Sequence, residues 1–109
     1  MIEKIILDYL SDKIDVPAST EKQKGLSRYI LVRKLGSGRN NHLFKSLVAI
    51  QSYGTSDYDA SELNERVIKE MLNIDRPEIT YCELNSDYPY TNTKTSEHRY
   101  QAIFDIKHY

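Results

Sequence analysis

Arg28-Tyr29-Ile30-Leu31-Val32-Arg33-Lys34, then Leu35-Gly36-Ser37-Gly38-Arg39-Asn40-Asn41, then His42-Leu43-Phe44-Lys45-Ser46-Leu47-Val48-Ala49-Ile50-Gln51-Ser52-Tyr53 is the stretch whose reading decides the fold. Its first part is rich in aromatic and β-branched residues and predicts a strand from Arg28 to Lys34. The middle part supplies turn chemistry over Leu35–Asn41, because glycine and asparagine tolerate the positive φ that a hairpin turn needs. The last part predicts a second strand from His42 to Tyr53. Leu43, Phe44, Leu47, Val48, Ala49 and Ile50 make that strand apolar on both faces. Such a strand is central in its sheet, or lays its second face on a neighbouring subunit.

Toward the N-terminus, Ile2, Ile5, Ile6, Tyr9 and Leu10 recur at helical spacing, with Glu3, Lys4, Asp8 and Asp12 outside the stripe. This helix is expected to stop near Lys13, since Val16-Pro17 favours an extended chain. Ser19 to Lys24 reads as a loop or as the tail of a short strand. Toward the C-terminus, Gly54-Thr55 ends the hairpin, and Ser56-Asp57-Tyr58-Asp59 matches a capping box. The helix that follows has Ala60, Leu63, Val67, Met71 and Ile74 on one face and is expected to end near Asn73 or Ile74, before Arg76-Pro77. Glu78 to Leu84 predicts a strand, Asn85 to Ser96 a loop, and Glu97 to His108 a last strand. In that strand Tyr100, Ala102, Phe104 and Ile106 line one face, with Gln101, Ile103, Asp105 and Lys107 on the other. The expected fold is therefore α+β: a small, mainly antiparallel sheet with a β-hairpin and two helices packed on it.

The 109 residues, 39% hydrophobic and 28% charged, suit one domain over residues 1–109 rather than two small cores. The longest apolar run, Tyr29–Val32, is far short of the ~20 residues of a membrane helix, so no membrane partner is expected. The start lacks the basic, apolar and small-residue succession of a secretory signal. Cys82 is the single cysteine and excludes an internal disulfide. A reducing cytoplasm is the expected setting. Nine tyrosines and no tryptophan predict rings packed inward with hydroxyls at a wet or subunit-facing edge.

The sequence carries no catalytic or metal-binding signature. His42, His98 and His108 match no zinc spacing. Cys82 reads as a small buried hydrophobe. Gly36-Ser37-Gly38-Arg39 lacks the Gly-Lys-Ser/Thr of a phosphate loop and leads into a strand. Asp57, Asp59 and Glu62 are the acids a first helical turn favours. No enzyme activity and no cofactor is expected. Charge is the uneven feature. The net charge of −1 divides into −2 over Met1–Val16, +6 over Pro17–Ser56 and −5 over Asp57–Tyr109. A basic hairpin on an acidic remainder fits head-to-tail self-association or a nucleic-acid contact with Arg39 at the tip and Tyr29 or Tyr53 nearby. The near-neutral total and the lack of a reading helix favour association.

Several stretches carry a resemblance: Met1 to Leu10, Ala49 to Tyr53, Glu62 to Glu65, Leu84 to Tyr88 and Arg99 to Tyr109. They resemble small tail-region proteins of long-tailed phages and prophages of Gram-positive bacteria, most closely the tail terminator (tail completion, head–tail joining) family. The resemblance implies an α+β subunit of a hexameric ring in the virion neck, assembled in the host cytoplasm. Its implied partners are further copies of itself, the tail tube protein and the head connector or stopper, with phage DNA passing transiently. It brings no catalytic residues. Arginines around the lumen would grip passing DNA, so Arg33, Lys34 and Arg39 are expected at a protein interface, with Lys45 and Tyr53 as further candidates.

Overall fold

The computed structural model describes residues 2–40, 43–92, 94–95 and 97–109. The elements run α1 (Ile2–Lys13), β1 (Ala18–Ser19), β2 (Tyr29–Asn40), β3 (Leu43–Gly54), α2 (Asp57–Leu72), β4 (Ile79–Pro89) and β5 (His98–His108). The fold is α+β, with a five-stranded sheet in the order β1-β2-β3-β5-β4. Every pairing is antiparallel except the short parallel one of β1 with β2.

Both helices lie on one face of this sheet. From α1 come Ile2, Ile6, Tyr9 and Leu10, and from α2 Ala60, Leu63, Val67 and Met71. They meet Ile30 and Val32 of β2, Val48 and Ile50 of β3, and Ala102, Phe104 and Ile106 of β5. Each of the larger of these side chains contributes about 1.5–3 kcal/mol through burial. The helices are also tied to each other, since the Tyr9 hydroxyl donates to the Glu70 carbonyl at 2.8 Å. Burial pushes that phenol above its ordinary value, with Glu70 adding to the effect.

The start of α2 follows the capping-box pattern in one direction only. Ser56, in extended backbone, accepts from the Asp59 N–H at 3.0 Å. The returning carboxylate passes over Ser56 and takes the Thr55 N–H at 2.9 Å. Gly54 is required just before: a Cβ there would lie 2.4 Å from the Ala60 nitrogen, so the last residue of β3 packs directly against the first turn of α2.

The hairpin differs from the sequence expectation in its turn. Leu35–Asn40 is not a turn but the far half of β2, paired with β3 as far as Asn40 opposite Leu43. A bulge between Lys34 and Gly36 takes up Leu35 as the extra residue and leaves it exposed. Gly36 and Gly38 sit in open space within the strand, and the positive φ, 81°, belongs to Gly25. The tip, Asn41-His42, lies outside the described residues. The second difference is β4, which continues past Leu84 to Pro89. A bulge between Leu84 and Ser86 lets the polar run Asn85-Ser86-Asp87-Tyr88 stay paired with β5, on an edge strand where polar side chains cost little.

The other sheet face carries no helix. There Tyr29 and Tyr53 stack with ring centroids 4.3 Å apart, beside buried Leu31 and Ala49. The expected central strand is thus confirmed in β3, with its second face closed by side chains of this chain over Ala49, Gln51 and Tyr53. The expectation of inward-packed tyrosines holds for Tyr9, Tyr29 and Tyr53, although the Tyr29 hydroxyl is buried rather than at a wet edge; Tyr58, Tyr81, Tyr88, Tyr90 and Tyr109 are exposed.

Gly54→Ala is expected to lower the unfolding free energy by about 1–3 kcal/mol in urea titrations, the cost of overpacking. Gly36→Ala and Gly38→Ala, with nothing near a new Cβ, should stay within about 0.5 kcal/mol of the parent.

Candidate functional site

The far half of the hairpin collects the exposed cations. On the helix-free face, Arg33 lies opposite Ala49, and Lys45 opposite both Gly38 and Lys107. On the other face Lys34 lies opposite Val48, while Arg39 is opposite Phe44 with its guanidinium 5.6 Å from the ring centroid. All four are exposed, and among the described residues none has a carboxylate within ion-pair distance. At the base of the hairpin the situation is the opposite. Lys22 meets Glu97 at 2.8 Å and Arg28 meets Asp59 at 3.1 Å. The basic segment therefore has two parts: a base paired with acids of the C-terminal half, and a far half left unpaired.

Tyr53 does not join the other four candidates. It sits at the base, roughly 27 Å along the strand from Lys45 at the usual rise, and only 4% of its surface is exposed. Its hydroxyl accepts from Arg99 Nη1 at 3.0 Å and donates to Gln51 Oε1 at 3.0 Å. Gln51 donates on to Gln101 at 2.8 Å, and Gln101 to the Tyr88 hydroxyl at 2.5 Å. This relay crosses β3, β5 and β4 and satisfies polar groups on a face that no helix covers. Burial, with Tyr53 adding to it, pushes the Tyr29 phenol up to about 12.

At the opposite edge of the sheet, β4 carries Glu83 and Asp87 and no basic residue, with Glu78 just ahead of it. The Tyr81 hydroxyl donates to Glu83, whose carboxylate raises the phenol above its ordinary value. Asp87 accepts from Asn64 of α2 at 3.2 Å. The sequence showed these acids only as part of a segment total. The sheet order brings them together along one edge.

Two histidine contacts were not legible in the sequence, because their partners are 62 and 41 residues away. His108 Nε2 lies 2.7 Å from Ser46 Oγ, and its Nδ1 faces the Tyr109 carbonyl at 3.2 Å. A hydroxyl beside an imidazole is the first half of an activated nucleophile, which also needs access and donors for an oxyanion. Ser46 is 2% exposed in a strand paired on both sides, so its oxygen and its neighbouring backbone N–H groups face protein. The contact, with Phe44 stacked on the same ring, fastens the end of β5 to β3. The second contact joins His98 Nδ1 to Asp57 at 2.8 Å, where Thr91 also donates at 2.8 Å. Burial pushes the Cys82 thiol up to about 12, which leaves little thiolate near neutrality. Among the described residues no group of three or more His, Cys, Asp or Glu side chains is placed to hold a metal ion. No described helix is long and apolar enough to cross a membrane.

Neither the models of known protein families nor the curated proteins give a match to this chain.

The ion pairs at the base of the hairpin set an acid response. His98 chiefly holds the Asp57 carboxyl below its ordinary 3.8, the Thr55 N–H holds Asp59 below the same value, and Lys22 holds Glu97 below 4.5. A carboxyl lowered in the fold stabilises above its unfolded value and loses that contribution as pH falls through the folded one. The melting temperature should therefore fall as pH drops from about 5 to about 2. Asp59→Asn should melt lower at neutral pH and show a shallower acid fall; superimposed profiles would remove Asp59 from this account.

Proposed function

We propose that the chain is a non-enzymatic structural subunit of a phage or prophage tail, a tail terminator or head–tail joining component that acts as a ring. The observation that carries this reading is the exposed far half of the hairpin, where Arg33, Lys34, Arg39 and Lys45 have no carboxylate partner among the described residues. Charges left unpaired on an extended hairpin are suited to meeting opposite charge on another subunit. The likeness of the five sequence stretches to small tail-region proteins supplies the kind of assembly. A heterologous contact repeated by rotation closes into a ring. One ring face then copies the contact by which tube subunits stack, while the other lacks it, so tube growth stops and the head connector finds its dock.

A second reading takes the same basic surface as a nucleic-acid contact. Its specific support is that Arg33, Lys45 and Lys107 share the helix-free face. The two readings differ in salt response, since each phosphate contact adds a counterion-release slope.

The test combines the mass of the purified protein in solution with images of tail tubes to which it has been added. Rings, in solution or on tube ends, are expected, together with tubes of limited length. Arg39→Glu should weaken ring formation or head joining while leaving the fold intact, as its side chain is exposed. A monomer that ignores tubes, combined with tight, salt-steep binding to duplex DNA, would replace this reading with the second.

A further inference from the structure

We infer that the two free edges of the sheet are the mating surfaces between copies: the acidic outer edge of β4 in one copy adds to the basic outer edge of β2 in the next, continuing one antiparallel sheet across subunits. This deepens the ring reading and rests on it for the occupant, a second copy of this chain.

Both edges offer backbone. β1 covers β2 only at Ile30 and Leu31, so the outer side of β2 is open from Val32 to Asn40. The Ile30 N–H donates outward to the Pro17 carbonyl at 2.8 Å. Alternation along the strand then turns the Val32 and Lys34 N–H groups to the same outer side. Among the described residues no strand pairs with the outer side of β4, the last in the strand order. The Tyr90 N–H donates inward to Arg99, and Pro89, with no N–H, marks the lower limit of that edge. β2 is antiparallel to β3, β3 to β5 and β5 to β4, so β2 and β4 run in opposite directions. A copy brought alongside by rotation about an axis near the strand direction therefore presents β2 antiparallel to β4.

Charge then selects the pairing. Val32–Asn40 carries Arg33, Lys34 and Arg39 and no acid; residues 78–89 carry Glu78, Glu83 and Asp87 and no base. Bulges, charges and an edge proline commonly shield free edges from one another. Shielding by charge works between edges of one sign. Here it opposes β2 meeting β2 and β4 meeting β4, and it leaves β2 meeting β4 as the favoured contact. That contact is head-to-tail, the kind that can close a ring. With the strands level, the register places Arg39 at the Glu78–Ile79 end. Arg33 then lies level with Ser86, between Glu83 and Asp87.

The experiment uses two full-length variants. One, Arg33→Glu, Lys34→Glu and Arg39→Glu, is acidic on both edges; the other, Glu78→Lys, Glu83→Lys and Asp87→Lys, is basic on both. Native mass spectrometry and sedimentation at low salt should show the parent self-associating. Each variant alone should associate roughly tenfold more weakly or worse, as expected for reversed interface charges. Their equimolar mixture should regain association, with the two chains alternating in even-numbered assemblies. Lys34→Pro should weaken parent association, since it removes an outward N–H while sparing the ladder to β3; circular dichroism and thermal melting check that every variant folds. A parent that stays monomeric at about millimolar concentration, a mixture that fails to associate, or an unchanged Lys34→Pro would each overturn the inference. The ring reading fails separately. Edge-to-edge association that ignores tubes would end the terminator reading and leave this one. A monomeric parent that still caps tubes would do the reverse.

Discussion

The backbone of β3 is hydrogen-bonded on both sides, to β2 and to β5, and from Val48 to Gly54 both of its faces are closed. Val48 and Ile50 sit beneath the helices, while Ala49, Gln51 and Tyr53 are buried on the side no helix reaches. A segment enclosed in this way leaves its polar groups little exchange with water, so neighbouring side chains meet most of them, although the Ser52 and Tyr29 hydroxyls have no partner among the described residues. The relay from Arg99 through Tyr53, Gln51 and Gln101 to Tyr88 does so on one face. On the other, Ser46 is met by His108. The close approach at Gly54 then turns the chain into α2, which covers the strand it has just left.

This arrangement spends the ionisable groups of the hairpin base on the fold and spares those of its far half. Lys22 and Arg28 are occupied with Glu97 and Asp59, and Arg99 lies over the rings of Tyr53 and Tyr90. Exposed ion pairs of this kind contribute little individually. Their consequence is positional: the net positive charge of the segment moves away from the body and onto β2 between Arg33 and Arg39. At the other end of the strand order, β4 carries Glu83 and Asp87 and no base. A chain of nearly zero net charge thus acquires a direction across its sheet.

Much of this fold was legible along the chain, and the misreadings have physical causes. The helical stripes of α1 and α2, the central place of β3 and the alternation of β5 follow from periodicity and are present as read. The glycines and asparagine of Leu35–Asn41 mislead because such residues mark where a turn is tolerated, not where it is required. Gly36 and Gly38 serve a strand next to a bulge, and the left-handed residue is Gly25. The end of β4 was set too early for the converse reason, since polar side chains are unremarkable on an edge strand with solvent beside it. Of the candidate interface residues, Arg33, Lys34, Arg39 and Lys45 were found by charge alone. Tyr53 was grouped with them by proximity in sequence, and extended geometry carries it to the other end of the hairpin.

What the sequence by itself determined is therefore the kind of fold and the sign of each segment, because side-chain periodicity and charge are local properties of a chain. Only the tertiary structure decided which charges remain free and where they face. Those outcomes depend on strand order, which brings Glu97 to Lys22 and Asp59 to Arg28 while separating β2 from β4 by two intervening strands. Pairings between residues 31 to 75 positions apart leave no trace in local pattern. They arise when burial of one shared face fixes the order of the strands.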